Sequence, residues 1–160
     1  MKTRQGFVTN SSSSSFIVLC NTRMMTPGFG LGKIVRIGDS GEIEFGWENE
    51  KYTDFYDKLN FAALQILEAE RCGDTCWYNT RRETWRPTLE KALRAYAGFD
   101  YVEWVLTNKY PVPDGMVDGY IDHQSSAAEG KNTEIFASYE TLCDFLFSKD
   151  SYIQGGNDNE

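Results

Sequence analysis

The sequence predicts a single α+β domain, in which about three helices pack on a mixed or mainly antiparallel sheet to form one pair of layers. Two observations lead to this prediction. Along the chain, apolar residues alternate between a period of two, typical of strands, and a period near 3.6, typical of helices. The chain has 160 residues, about the length of one domain, and no linker divides it into two.

Strands are predicted where apolar runs stand between turn residues. Phe16–Cys20 is apolar throughout, which favours a central strand early in the fold. Lys33–Ile37 and Glu42–Trp47 are separated by a short turn containing glycine, so they are predicted to form a β-hairpin. Tyr101–Thr107 is predicted as a further strand, and Tyr120–His123 as a short strand or a strand end.

Helices are predicted at three places. Asp54–Arg71 has an apolar stripe at helical spacing, and Pro87–Ala97 has its proline in the first turn, where a missing N–H costs nothing. A third helix is expected to begin near Ser138, a favourable N-cap residue. Outside these elements, residues 154–160 are predicted to form a polar tail.

The composition limits the classes of function. The chain has 16 lysines and arginines against 24 aspartates and glutamates, a net charge of −8. This balance argues against a general nucleic-acid ligand, because neutralising phosphates takes clustered cations. No hydrophobic leader is present and no apolar run approaches the ~20 residues of a membrane span, so we expect a cytoplasmic protein without a membrane partner.

The cysteines and glycines suggest no cofactor. Cys20, Cys72, Cys76 and Cys143 are all expected to be free thiols, because a cytoplasmic protein keeps its cysteines reduced. The Cys72/Cys76 spacing is not that of a zinc knuckle, and no metal site is predicted. Gly28–Lys33 looks like a phosphate loop but leads into a strand and lacks the required Ser or Thr, so it is predicted to be a strand connection.

The segment around the only histidine could carry chemistry. Asp122 and His123 are the candidate catalytic residues, with Asp118 nearby, since carboxylate and imidazole together can orient a base or bind a cation. Successive strand residues point to opposite faces, so Asp122 and His123 can share a site only if the strand ends there. The alternative is that His123 is a structural residue.

Residues 1–15 end in five serines, which form a second candidate. We expect this segment to be ordered, because a buried strand follows the serines without a spacer. Hydroxyl and N–H groups at a strand entrance can hold an anion or satisfy buried polar groups. The candidate ligand-binding residues are Asn10, Ser11, Ser12, Ser13 and Ser125. No nucleophile elbow surrounds them, so a serine hydrolase is not predicted.

A group of glutamates is the candidate partner-binding surface. Glu42 and Glu44 alternate with apolar residues on the second arm of the predicted hairpin, and Glu48 and Glu50 follow directly. The alternation places the acids on the solvent side of a half-buried strand. We expect this surface to meet a basic partner protein.

The start of the chain resembles a known family. Residues 4–18, RQGFVTNSSSSSFIV, are similar to the NGFVSNSSSSSFIV opening of small uncharacterised proteins from bacteriophages and bacterial mobile elements. Gln5 and Thr9 depart from the usual Asn and Ser. The resemblance implies an origin rather than an activity, so it supplies no catalytic residues. It favours an ordered serine run and an accessory role in infection, such as host takeover or anti-defence.

Three functions are compatible with these observations. The first is an acidic, non-enzymatic protein that binds a host or phage protein. The second is a small enzyme or a ligand- or metal-binding domain that uses Asp118, Asp122 and His123 with Ser11–Ser15. The third is a structural component of a virion. The absence of a complete catalytic motif favours the first.

Overall fold

The computed structural model describes residues 13–22, 25–46, 48–72 and 82–157. The strands among these residues are short and are listed in chain order: β1 (Ser13–Val18), β2 (Ile34–Ile37), β3 (Glu44–Phe45), β4 (Lys51–Tyr52), β5 (Tyr101–Trp104), β6 (Leu106–Thr107), β7 (Val117–Asp118), β8 (Tyr120–Ile121) and β9 (Tyr152–Asn157). The helices are α1 (Phe55–Cys72), α2 (Trp85–Lys91), which continues as a π-helical turn over Ala92–Tyr96, and α3 (Tyr139–Phe147). The predicted α+β class is therefore confirmed.

The three predicted helices are present. The helix α1 begins at Phe55 and buries an apolar stripe that includes Leu59, Ala63 and Ile66. The second helix begins at Trp85, so Pro87 lies in its first turn as expected. In α3, Ser138 is the N-cap, and its hydroxyl accepts a hydrogen bond from the N–H of Thr141 at 3.0 Å.

The three-stranded antiparallel sheet corrects two predictions. Its order is β1–β9–β4, so the strand containing Phe16 is an edge strand rather than a central one. The central strand is β9, although residues 154–157 were predicted to belong to a polar tail. The physical reason is a close backbone approach, because a Cβ atom on Gly155 would lie 2.6 Å from the carbonyl oxygen of Glu48. Gly155, which suggests a loop in the sequence, is therefore required by the backbone segment around Glu48 that packs against it.

The predicted hairpin between residues 33 and 47 is also wrong. The two arms do not pair: β2 runs parallel to β5, and β3 runs parallel to β8. The intervening turn is held by α1 instead. Asn60 Oδ1 accepts the N–H of Gly38 at 2.9 Å, and its Nδ2 donates to the carbonyl oxygens of Ser40 and Glu42 at 2.7 and 3.0 Å. A buried side chain thus satisfies the turn's backbone groups that a hairpin ladder would satisfy.

The glycine loop caps a helix. The N–H groups of Gly28 and Gly30 donate to the carbonyl oxygens of Tyr96 and Ala97, at 2.8 and 2.6 Å. These carbonyls stand at the end of the helical segment and have no partner within it. A Cβ atom on Gly30 would lie 2.7 Å from the ring of Phe99, so the loop needs glycine there for packing. The N–H groups that a phosphate would require are already engaged.

The cysteines differ from the prediction of four free thiols. Cys20 and Cys143 are buried and take part in no disulfide. Cys72, at the end of α1, is disulfide-bonded, which corrects that prediction. The prediction rested on the expected compartment and not on any geometric feature of the cysteines. In the part of the chain described, no helix combines the length and the apolar character that crossing a lipid bilayer requires.

Candidate functional site

The two candidate catalytic residues, Asp122 and His123, directly follow the strand β8 and differ in burial. The N–H of Asp122 donates to the carbonyl oxygen of Phe45, and Asp122 is 3% exposed. A Cβ atom on Gly46 would lie 2.5 Å from Asp122 Oδ1, so the carboxylate packs directly over this glycine. His123 is exposed. The strand β8 ends at Ile121, before both residues, so the condition under which they could share a site is met, but Asp122 is buried while His123 is exposed.

Asp118 and His123, by contrast, line one half-open groove of about 390 Å³, which we call the polar groove. The groove lies between the end of α1, the strands β7 and β8, and the turn that follows them. Its lining residues are Glu68, Arg71, Asn108, Tyr110, Asp118, Gly119, Tyr120, Ile121, His123, Ser126, Ala128 and Glu129. Neither Asp122 nor Ser125 lines it, so the structure brings together only part of the predicted site.

One wall of the polar groove has a closed set of polar contacts. Glu68 forms an ion pair with Arg71, one helical turn further along α1, through its Oε2. Its other carboxylate oxygen accepts a hydrogen bond from Asn108 Nδ2 at 3.3 Å. Both oxygens of Glu68 and the guanidinium of Arg71 are therefore engaged within the protein.

Ser125 takes part in a buried network instead of a surface site. Its hydroxyl accepts the N–H of Ser15 at 2.6 Å, and its carbonyl oxygen accepts Gln65 Nε2 at 2.7 Å and Asn132 Nδ2 at 3.0 Å. Asn132 Nδ2 also donates to the carbonyl oxygen of Ser15 at 3.1 Å. These contacts cover the outer side of the edge strand β1 with side-chain hydrogen bonds.

The last three residues of the serine run belong to a strand. Ser13 and Ser14 open the strand β1, and Ser15 is fully buried. The other candidate ligand-binding residues, Asn10, Ser11 and Ser12, lie outside the described residues. The hydroxyl of Ser15 and the Oδ1 of Asn132 have no hydrogen-bond partner among the described residues.

A second surface gathers carboxylates around Tyr52, and we call it the acidic face. It consists of Glu42, Glu48, Glu50 and Asp57, whose charges act on Tyr52, and of Glu44, whose N–H donates to Glu42 Oε1 at 2.9 Å. Glu44, Glu48 and Glu50 are exposed, and Asp57 Oδ1 accepts the N–H of Glu42 at 2.7 Å. Burial, followed by the charges of Glu50, Glu42, Glu48 and Asp57, raises the pKa of Tyr52 to about 12. The negative charges of Glu50, Glu42, Glu48 and Asp57 are therefore close enough to Tyr52 to disfavour its ionised form.

The acidic face takes part in no ion pair with the other residues that the structure describes. The ion pairs between described residues join Arg36 to Glu103, Arg71 to Glu68 and Arg86 to Glu70, and none of them includes a residue of this face. The nearest lysines in sequence point elsewhere. Lys51 Nζ lies 4.2 Å from the ring centroid of Tyr152, and Lys58 Nζ is buried against backbone carbonyls.

Several residues of the groove and of the acidic face cannot be predicted from the sequence. Glu68 and Arg71 lie on α1 and are distant in sequence from Asp118, so only the fold brings them to the same groove. Tyr110 is 94% exposed and Tyr120 is 43% exposed. An excess of aromatic residues is visible in the composition, but composition does not say which of them remain at the surface. Asp57 appears in the sequence only as a polar position in a helix.

Among the described residues, no group of three His, Cys, Asp or Glu side chains is placed to hold a metal ion. No family model matches this chain, and no curated protein or solved structure matches it significantly.

Proposed function

We propose that this chain is a non-enzymatic binding domain whose acidic face docks on a basic surface of a partner protein. The observation that carries the proposal is the group of carboxylates around Tyr52, which form no ion pair with any described residue. Like charges brought close together raise the free energy of the isolated protein. A basic partner relieves that repulsion on binding, which gives the cluster a role.

The resemblance of residues 4–18 to proteins of bacteriophages and mobile elements supports the proposal that the partner is met in an infected cell. The partner is then a host or phage protein, and the role is host takeover or anti-defence. A cytoplasmic location belongs to the same proposal. The disulfide at Cys72 is the observation against which that location is to be tested, because stable disulfides are rare in the cytosol.

The geometry gives less support to an enzyme built on Asp118, Asp122 and His123. Asp122 is buried against Gly46 and does not line the groove that holds Asp118 and His123. A base and the carboxylate that orients it must lie within hydrogen-bonding distance. We therefore propose no reaction for these residues.

Chemical-shift mapping with a hexa-arginine peptide tests the proposed function. We expect the peptide to shift the backbone amide signals of Glu48, Glu50 and Tyr52, and the double variant Glu48→Gln/Glu50→Gln to weaken its binding by about tenfold. The matched control is Asp114→Asn, an exposed acid outside the acidic face. Equal binding by the wild type and both variants would overturn the proposal. The peptide would then respond only to the net negative charge of the protein and not to the acidic face.

A further inference from the structure

We infer that the polar groove is the part of the docking surface that receives an arginine or lysine side chain of the partner. This inference rests on the proposed function, because it names what the partner inserts. The acidic face and the polar groove are continuous. Glu44 and Tyr120 are paired across the parallel strands β3 and β8, and both are exposed while their neighbours Phe45 and Ile121 are buried. Glu44 belongs to the acidic face and Tyr120 lines the groove.

The lining of the polar groove carries more negative than positive charge. Its ionised lining side chains are Glu68, Arg71, Asp118 and Glu129, with His123 beside them. Arg71 is already paired with Glu68. Asp118 and Glu129 are exposed and form no ion pair with any described residue. The groove therefore has two carboxylates available to a cation, and an anionic ligand would meet a net negative charge.

The polar groove is also lined by aromatic side chains. Tyr110 and Tyr120, both exposed, line the same groove. A guanidinium or ammonium group gains from contact with the face of a tyrosine ring as well as from a carboxylate. Exposed tyrosines beside carboxylates are thus suited to a basic side chain, whose aliphatic stem also packs on the rings.

The shape of the groove favours a side chain over a free small molecule. Sites for small molecules enclose most of the ligand and are lined mainly by apolar groups. This groove is half-open, its surface is divided about equally between polar and apolar atoms, and at about 390 Å³ it is near the lower end of such sites. It can hold the end of one long side chain while the rest of the partner lies outside, against the acidic face.

The test uses N-acetylarginine amide as the probe, with N-acetylcitrulline amide as its uncharged counterpart. We expect the arginine compound to shift the amide signals of Asp118, Tyr120 and His123, and the citrulline compound to shift none of them. Asp118→Asn should weaken binding by about fivefold, as loss of one partly exposed charge pair does. Asp114→Asn, outside the groove, should leave the affinity unchanged.

The outcomes separate this inference from the proposed function. Equal binding of the citrulline compound, or an affinity unchanged by Asp118→Asn, would refute a cation site in the groove. If hexa-arginine still binds the acidic face and loses affinity in the Glu48→Gln/Glu50→Gln variant, only the groove inference fails. If hexa-arginine shows no preference for the acidic face, the proposed function fails whatever the groove binds.

Discussion

The side-chain nitrogen of Lys58 lies 2.5 Å from the carbonyl oxygen of Ser148, at the end of α3. It also donates to the carbonyl oxygen of Ser151 at 3.1 Å, and Lys58 is 1% exposed. A helix ends in carbonyl groups without intrahelical partners, and a cation there is favourable. Lys58 therefore joins the end of α3 to α1 at the centre of the fold.

Burial has a consequence for the pH dependence of stability. Burial lowers the pKa of Lys58 to about 8, against 10.5 when exposed. Between these values the unfolded chain binds more protons than the folded one, so the free energy of unfolding rises with pH. Tyr52 acts in the opposite direction above pH 10, because its pKa is raised to about 12 in the folded protein. The effect of Lys58 is therefore best measured between pH 8 and pH 10, below the range in which Tyr52 titrates.

Lys58→Met should remove this dependence while keeping the length of the side chain. We expect the free energy of unfolding of the wild type to gain on the order of 2 kcal/mol relative to Lys58→Met between pH 8 and pH 10. Urea denaturation of both proteins at the two pH values measures the difference. A constant difference between the two proteins would mean that Lys58 is not deprotonated on folding in this range.

Gly46 should be sensitive to substitution because Asp122 packs on it. Gly46 has φ of +119°, and an added Cβ would lie 2.5 Å from Asp122 Oδ1. Gly115 is the matched control, since its φ is +79° and nothing lies within 4 Å of an added Cβ. We expect Gly115→Ala to cost about 1 kcal/mol, for backbone strain, and Gly46→Ala to cost about 3 kcal/mol or more. Equal losses in thermal or urea unfolding would argue against the close packing of Asp122.

Ser125→Ala should loosen the edge strand β1. The variant leaves the N–H of Ser15 without its buried acceptor, which costs about 1–3 kcal/mol of stability. Amide hydrogen exchange should show a protected Ser15 N–H in the wild type and faster exchange in the variant. The amide of Leu142 in α3 serves as the internal reference, because its donor bond to Ser138 is distant from the substitution. Fast exchange at Ser15 in the wild type would contradict the ordered serine run.

The disulfide at Cys72 predicts a specific alkylation pattern. After unfolding without a reductant, Cys20 and Cys143 should react with iodoacetamide, while Cys72 should react only after reduction. Peptide mass spectrometry measures each site separately. Alkylation of Cys72 without a reductant, in protein purified from the cytoplasm, would mean that this bond does not form there.

The sequence predicts much of the fold where the signal is local. The helix α1 and the Ser138 cap follow from spacing and from residue type, because their energetics lie within a few neighbouring residues. The pairing of β9 does not, since Gly155 is placed by its contact with a distant backbone. The same holds for Lys58, whose partners lie far along the chain. A lysine in a helix is ordinarily exposed, and only the tertiary fold buries this one.

The site divides in the same way. The strand β8 ends at Ile121, so strand geometry does not set the orientation of Asp122 and His123, whereas the exposure of Glu44, Glu48 and Glu50 follows from alternation and polarity. The polar groove cannot be predicted, because α1 supplies one wall and the strand segment around Tyr120 supplies the other. Proximity of this kind arises only when the chain is folded.

The association rate of the fluorescent-labelled hexa-arginine peptide tests the central claim most directly. We compare the wild type, Glu48→Lys/Glu50→Lys and the control Asp114→Lys by stopped-flow fluorescence at low and physiological salt. The account predicts that the charge reversals at Glu48 and Glu50 slow association about tenfold at low salt, and that added salt slows the wild type towards the variant. Asp114→Lys should change the rate less than about twofold. Equal rates for all three proteins at each salt concentration would contradict docking through the acidic face.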